Sequence, residues 1–119
     1  MKQSQPPAVH RQFSRRFPKL ASAWDLANDA AAEGPLDART ARLVKLAVAV
    51  GAQRESAVHS AVRKARDAGV GAAELEQVVP LAASTLGFSA SVAAWCWIRE
   101  TLEAAPAASS PARRRRRAR

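Results

Sequence analysis

The segment 43–69, LVKLAVAVGAQRESAVHSAVRKARDAG, decides the fold of this chain. Its apolar residues recur at every third or fourth position, which is the spacing of one face of an α-helix. Gly51 interrupts that spacing, so the segment predicts two amphipathic helices rather than one. The apolar stripe of the second helix consists of Val58, Ala61, Val62 and Ala65.

Two chemically active side chains, Glu55 and His59, lie on the flank of this stripe. They are four residues apart, so in a helix they share one face. A histidine exchanges its proton near neutral pH, and a carboxylate one turn away can orient and partly neutralise it. We predict that His59 lines a cavity as a general acid/base, with Glu55 as its orienting partner within direct or one-water reach. The alternative is an ordinary histidine that packs its ring on the core and keeps its polar edge in water.

The segments on either side of this pair also predict helices. Pro18 suits the first turn of a helix, which would end near Gly34. Asp37 is predicted to cap the N-terminus of the next helix. The helix after it is predicted over 53–68, with Gly69 as its C-terminal cap.

The C-terminal half of the sequence predicts two further helices. One begins near Gly71, and Pro80 would either kink or split it. The last one opens at Ser89 or Ser91. Together these elements predict an all-α fold, a small bundle of about five to six helices with short connections.

Composition agrees with a small helical protein. The chain has 119 residues, only 5% aromatic residues and no tyrosine, so alanine supplies much of the apolar surface. No run approaches about 18 consecutive apolar residues, which predicts no membrane span. The N-terminus lacks the apolar core of a secretory signal. A single cysteine, Cys96, cannot form an intramolecular disulfide, which fits a cytoplasmic location.

Positive charge is concentrated at the two ends of the chain. The net charge is +9, yet residues 21–110 carry eight basic and ten acidic side chains. We therefore predict a basic, flexible leader over 1–16, a helical domain over 17–104, and a disordered Pro/Ser/Ala linker with an Arg-rich tail over 105–119. The tail Arg113–Arg119 can attract nucleic acid or another polyanion by counterion release. A solvated tail without a specific partner is the alternative.

Two quoted runs carry a resemblance to a known family. They are LDARTARLVKLAVAVGAQRESAVHSAVRKARDAGV, over 36–70, and AAELEQVVPLAASTLGFSASVAAW, over 72–95. In the order and spacing of these elements the chain resembles the carboxymuconolactone decarboxylase family, which includes the alkylhydroperoxidase D-like proteins. The resemblance covers roughly Phe17–Leu102. It implies a small all-α subunit that forms a homo-oligomer, from dimer to hexamer, with sites at or near subunit contacts.

One departure from the family pattern bears on the chemistry. The redox members of the family carry CxxCxxxH on this helix, and aligning their histidine with His59 places Ala52 and Glu55 where the thiols would be. Without a resolving thiol, dithiol peroxidase chemistry is excluded. The chain is more similar to the thiol-free branch, whose histidine at this position takes part in proton transfer during lactone decarboxylation. The role of Glu55 is our inference from its place beside His59.

A few other residues are candidates for substrate binding or for a structural role. Arg54, Arg63 and Lys64 are basic residues that could hold a substrate carboxylate, with Arg63 as the chosen candidate, and an ordinary solvated helix face is the alternative. Cys96 is predicted to be a buried structural thiol, and the tryptophans to fill the core or a subunit interface. These are Trp24, Trp95 and Trp97. We predict no cofactor and no metal site, because the sequence holds two histidines, one of them in the leader, and no cluster with metal-ligand spacing.

The sequence thus favours a carboxymuconolactone decarboxylase-like homo-oligomer. If it is an enzyme, the resemblance implies decarboxylase or lyase chemistry on a small organic acid or lactone, with His59 and Glu55 in the pocket. One alternative is a non-catalytic oligomeric or ligand-binding module of the same fold. Another is a nucleic-acid-associated protein that uses its Arg-rich tail.

Overall fold

The structure is a computed structural model that describes residues 8–109, and the side chains of residues 8–104. In this range the chain forms six α-helices joined by short connections. They are α1 (Ala8–Arg16), α2 (Pro18–Ala32), α3 (Ala38–Gly51), α4 (Glu55–Asp67), α5 (Ala72–Leu86) and α6 (Phe88–Ser109). The predicted all-α bundle is confirmed.

The core lies among the last four helices. Helix α4 packs between α3 and α6, and α5 contacts the same two helices from the other side, so the four helices enclose one apolar centre. The predicted stripe of α4 faces that centre. The core residues are Leu46, Ala49, Val50, Val58, Val62, Ala65, Val70, Leu75, Val78, Ala94, Ile98 and Leu102.

Several predicted helix ends are confirmed. Helix α2 begins at Pro18, and the Asp37 carboxylate caps α3 by accepting a hydrogen bond of 2.7 Å from the backbone N–H of Thr40. Gly69 follows α4 with a φ of 88°, a left-handed conformation that favours glycine at a helix end. These boundaries fix where α4, and therefore His59, begins and ends in the bundle.

Other elements differ from the sequence prediction. Residues 8–16 form helix α1, which was not predicted within the polar leader. Helix α5 runs unbroken through Pro80, because this proline lies on an exposed face where solvent can bind the carbonyl that loses its partner. Helix α6 begins at Phe88, one residue before the earlier of the two predicted starts, and continues to Ser109. The predicted tail beyond Ser109 lies outside the described residues.

Cys96, predicted to be buried, is exposed in the single chain, and so are Trp24 and Trp95, which were predicted to fill the core or a subunit interface. Cys96 is exposed because the buried stripe of α6 runs through Ala94, Ile98 and Leu102, and position 96 falls off it. Trp24 is 62% exposed, since α2 buries none of its residues. Trp97 does pack against the core.

Within residues 8–109, every helix is too short or too polar to cross a membrane.

Candidate active site

The candidate site lies at the N-terminal end of α4, just after the tight connection from α3. Gln53 in this connection has a φ of 54°, an uncommon conformation for a residue with a side chain. Its amide Nε2 donates to the carbonyl of Val50 at 2.9 Å and to that of Ala90 at 3.4 Å. Gln53 thereby ties the connection to α6, and so positions the first turns of α4 beside that helix.

His59 and Glu55 meet as the sequence predicts. The His59 Nε2 atom lies 3.3 Å from the Glu55 carboxylate oxygen Oε2, one helical turn away. The His59 side chain is 24% exposed, whereas that of Glu55 is 58% exposed. The ring is therefore largely enclosed by protein, and its Nε2 edge faces solvent beside a carboxylate.

Helix α6 supplies a second carboxylate. The Oε2 atom of Glu100 lies 3.8 Å from the same Nε2 of His59. The ligand atoms of Glu55, His59 and Glu100 all lie within 4.8 Å of one another, an arrangement that could hold a metal ion. The prediction of no metal site rested on ligand spacing along the sequence and on the number of histidines, which do not reveal this cluster because Glu100 is 41 positions away from His59 in the sequence.

Thr101, next to Glu100 on α6, holds the other ring nitrogen. It is a buried residue whose hydroxyl Oγ1 makes a short hydrogen bond with His59 Nδ1. The same hydroxyl donates to the carbonyl of Trp97 at 3.1 Å. Since a hydroxyl has only one hydrogen, Oγ1 must accept from Nδ1–H. The proton on Nδ1 is thus fixed by Thr101.

This assignment determines what Nε2 can do. A carboxylate only accepts hydrogen bonds, so Nε2 donates to Glu55 when the ring carries a second hydrogen. In the neutral ring, Nε2 instead presents its lone pair to Glu55 and Glu100. The two carboxylates therefore favour a positively charged species at Nε2. Nε2 lies on the solvent side of the ring, where a ligand can reach it.

A wide, shallow depression lies beside His59, where the sequence predicted a cavity. Its lining residues are Arg54, Glu55, Ser56 and His59. Arg54, the residue before α4, adds a cationic side chain to this lining. The predicted carboxylate-binding residue, Arg63, is not among the lining residues.

Arg63 belongs instead to a group of cations on α3 and α4. Partial desolvation lowers the pKa of Lys64, and the nearby positive charges of Arg42, Lys45 and Arg63 lower it further. These like charges make the α3–α4 surface around Lys64 electropositive. It is one turn or more beyond His59 along α4.

The sequence as a whole matches one family. The model of the carboxymuconolactone decarboxylase family aligns with residues 18–100, which is more than two thirds of the chain. The chain belongs to this family. No curated protein and no solved structure matches it. The matched range contains α2 to α5 and most of the described part of α6, so Glu55, His59 and Glu100 all lie on the shared part of this carboxymuconolactone decarboxylase family member.

Sequence reasoning found Glu55 and His59 but missed Glu100 and Thr101 as members of the site. It named Arg54 together with Arg63 and Lys64 as residues that could hold a carboxylate, and of these Arg54 lines the depression. Glu100 and Thr101 lie on α6, and the sequence alone gave no sign of how α6 turns toward α4. What the sequence lacked is how α6 packs on α4. This packing brings Thr101, one turn after Trp97, against the His59 ring.

Proposed function

We propose that this protein transfers a proton to or from a small organic acid or lactone, with His59 as the general acid/base. The observation that supports this most strongly is that the two ring nitrogens of His59 have different partners. Thr101 holds Nδ1, so that Nε2 is the nitrogen left to exchange a proton with a ligand. Glu55 lies 3.3 Å from Nε2 and orients it.

A lactone decarboxylation illustrates the chemistry. The bond between a lactone ring carbon and its carboxylate breaks, CO₂ leaves, and the electron pair is delocalised into the lactone carbonyl as an enolate. The Nε2–H of His59 then protonates the enolate on the carbon next to the carbonyl, and the imidazole recovers a proton from solvent. Such positioned proton transfer contributes about 10²–10⁴-fold to a rate.

A guanidinium beside the ring would bind the substrate carboxylate or carbonyl. Arg54 is the better placed residue, because it lines the same depression as His59. The role predicted for Arg63 stays a prediction, and replacing each arginine separately distinguishes them. Arg54 forms charge-assisted hydrogen bonds that a neutral side chain cannot replace.

The proposed assembly is a homo-oligomer, from dimer to hexamer. Large apolar side chains remain exposed on the single chain, among them Leu20, Trp24 and Leu26 of α2 and Val48 of α3. A second copy that covers such a surface would gain the free energy of burying it. A subunit contact of this kind could also deepen the shallow depression beside His59.

A non-catalytic oligomeric or ligand-binding module is the second candidate. The openness of the depression favours it, because general acid/base catalysis gains from a site that excludes water. In that case the protein would bind a small organic acid at Arg54 and His59 without changing it.

Proton exchange in D₂O separates the two candidates. Wild-type protein is incubated with a panel of small lactones and organic acids, and deuterium incorporation next to the carbonyl is followed by NMR. We expect incorporation into at least one compound, with losses in His59→Ala and Glu55→Gln. Ser84→Ala serves as a control, since Ser84 is exposed on α5 and does not line the depression. Binding without exchange would favour the non-catalytic module.

Two further proposals rest on the sequence alone. One is a nucleic-acid or polyanion partner for Arg113–Arg119, and the other is a cytoplasmic location. Binding of the full chain and of a chain ending at Ala112 to a DNA duplex should differ if the tail is responsible. The affinity of the full chain should fall steeply with salt, because released counterions drive such binding. Equal affinity of both chains would place any such binding elsewhere.

A further inference from the structure

We propose that Glu55, His59 and Glu100 form a binding site for one divalent first-row transition-metal ion, such as Zn²⁺ or Mn²⁺. The three side chains come from two helices, α4 and α6, that pack against each other. A proton is one positive species that this site can hold at Nε2. A metal ion is the other.

The strongest support comes from the second nitrogen of the ring. Metal-binding histidines generally donate their other N–H to an acceptor that fixes the tautomer and the ring orientation. Thr101 does this here, because its only hydrogen goes to Trp97 and its oxygen accepts from Nδ1–H of His59. The neutral ring therefore presents the Nε2 lone pair toward Glu55 and Glu100. This observation is independent of the number of acidic groups nearby.

The distances between ligand atoms fit a shared ion after small side-chain adjustments. An ion that lies about 2.0–2.2 Å from each ligand atom brings neighbouring ligand atoms to roughly 3–3.6 Å from one another. Nε2 of His59 lies 3.3 Å from Glu55 Oε2 and 3.8 Å from Glu100 Oε2, and the ligand atoms all lie within 4.8 Å of one another, so the two carboxylates must move closer together to share an ion. Both carboxylates are more than half exposed, so they can rotate by the small amount required while His59 stays in place.

Charge and ligand type point to the class of ion. Two carboxylates and a neutral imidazole carry a charge of −2, which balances a divalent cation; the Arg54 guanidinium at the rim reduces this attraction. An imidazole nitrogen favours Zn²⁺ and other transition metals, whereas carboxylates also suit Mn²⁺. Three protein ligands leave coordination positions for water or a small ligand on the open side.

The inference goes beyond the proposed function and does not rest on it. A metal ion and a proton compete for the single Nε2 lone pair, so the metal-bound chain cannot act as the general acid, and proton transfer is measured on chelator-treated protein. Failure to bind metal would leave the proton-transfer proposal standing. Failure to find proton transfer would leave the metal site standing.

Metal binding can be measured directly on the untagged, full-length chain. Protein stripped with chelator is titrated with Mn²⁺ and followed by the loss of the free-ion EPR signal, and with Zn²⁺ by calorimetry. We expect one ion per chain. His59→Ala, Glu55→Gln and Glu100→Gln should each weaken binding at least tenfold, and Mg²⁺ should bind far more weakly because it prefers an all-oxygen site.

Two controls keep the result specific. Glu103→Gln removes an exposed acid from the same helix, one that pairs with Arg99 at 2.6 Å, and should leave the affinity unchanged. Cys96→Ser removes the exposed thiol as a Zn²⁺ ligand and should also have no effect. The proposal is overturned if fewer than one ion in five chains binds, or if Glu100→Gln binds as tightly as wild type. Both glutamates are exposed, so their variants should fold, which circular dichroism checks.

Discussion

Replacing Thr101 by valine tests the hydrogen-bond arrangement around His59. Valine keeps the shape of threonine but exchanges its hydroxyl for a methyl group. Two hydrogen bonds are lost, one from His59 Nδ1 and one to the carbonyl of Trp97. The Trp97 carbonyl keeps its helical partner, the backbone N–H of residue 101, so the main loss falls on Nδ1–H.

The size of this loss follows from burial. An unsatisfied donor in the interior costs about 1–3 kcal/mol. The His59 side chain is 24% exposed and can turn toward water, so the cost lies at the lower end of this range. We therefore expect the free energy of unfolding of Thr101→Val to fall by about 1 kcal/mol. For a domain of this size that corresponds to a fall of roughly 4–8 °C in Tm.

The assay combines urea unfolding with ¹⁵N NMR of the two histidine rings. In wild type the His59 signals should report a proton held on Nδ1, and in Thr101→Val the neutral ring should populate both tautomers. Thr85→Val is the matched control, because Thr85 is exposed on α5 and should change neither quantity. Unchanged stability together with an unchanged ring tautomer in Thr101→Val would refute the role given to Thr101.

Three further predictions follow from other parts of the molecule. Peroxide should not be turned over with a dithiol reductant, because Ala52 and Glu55 occupy the positions of the family thiols; turnover abolished by Cys96→Ser would move the active site to α6. Asp37→Asn should flatten the acid side of the stability profile, because hydrogen bonds to Thr40 lower the pKa of Asp37 in the folded protein. The stability that this carboxylate contributes is complete above the ordinary pKa of an aspartate and is lost as the pH falls through the lower folded pKa. Thermal midpoints from pH 5 to pH 2 measure this, and an equal slope in both proteins would contradict it. Trp24→Ala should shift light-scattering masses toward smaller species, whereas Lys19→Ala on the same helix should not; a monomeric wild type at micromolar concentration would exclude the homo-oligomer.

Local sequence signals predicted most of the helices. Pro18, Asp37 and Gly69 act within one or two turns of their own position, so their effects on helix ends can be derived without knowing the fold. The same holds for the stripe of α4, whose spacing alone indicates the buried face. Pro80 was harder, because whether a proline breaks a helix depends on the surroundings of the carbonyl that it leaves unpaired.

The candidate site was predictable only where its residues share one helix. Glu55 and His59 are four positions apart, so helix geometry alone brings them together. Glu100 and Thr101 join them through the packing of α6 on α4, which depends on the whole core. The exposure of Cys96 was missed for a related reason: its place between Trp95 and Trp97 on an apolar helix suggested burial, but the rotation of α6 places that position outside the bundle.

The measurement that tests the central claim most directly is the incorporation of deuterium from D₂O into a panel of small lactones and organic acids by wild type and by His59→Ala. The account predicts that wild type incorporates deuterium next to the carbonyl of at least one compound, at a rate about 10²–10⁴-fold higher than that of folded His59→Ala. No incorporation by wild type into any compound, or incorporation by His59→Ala at the wild-type rate, would contradict it.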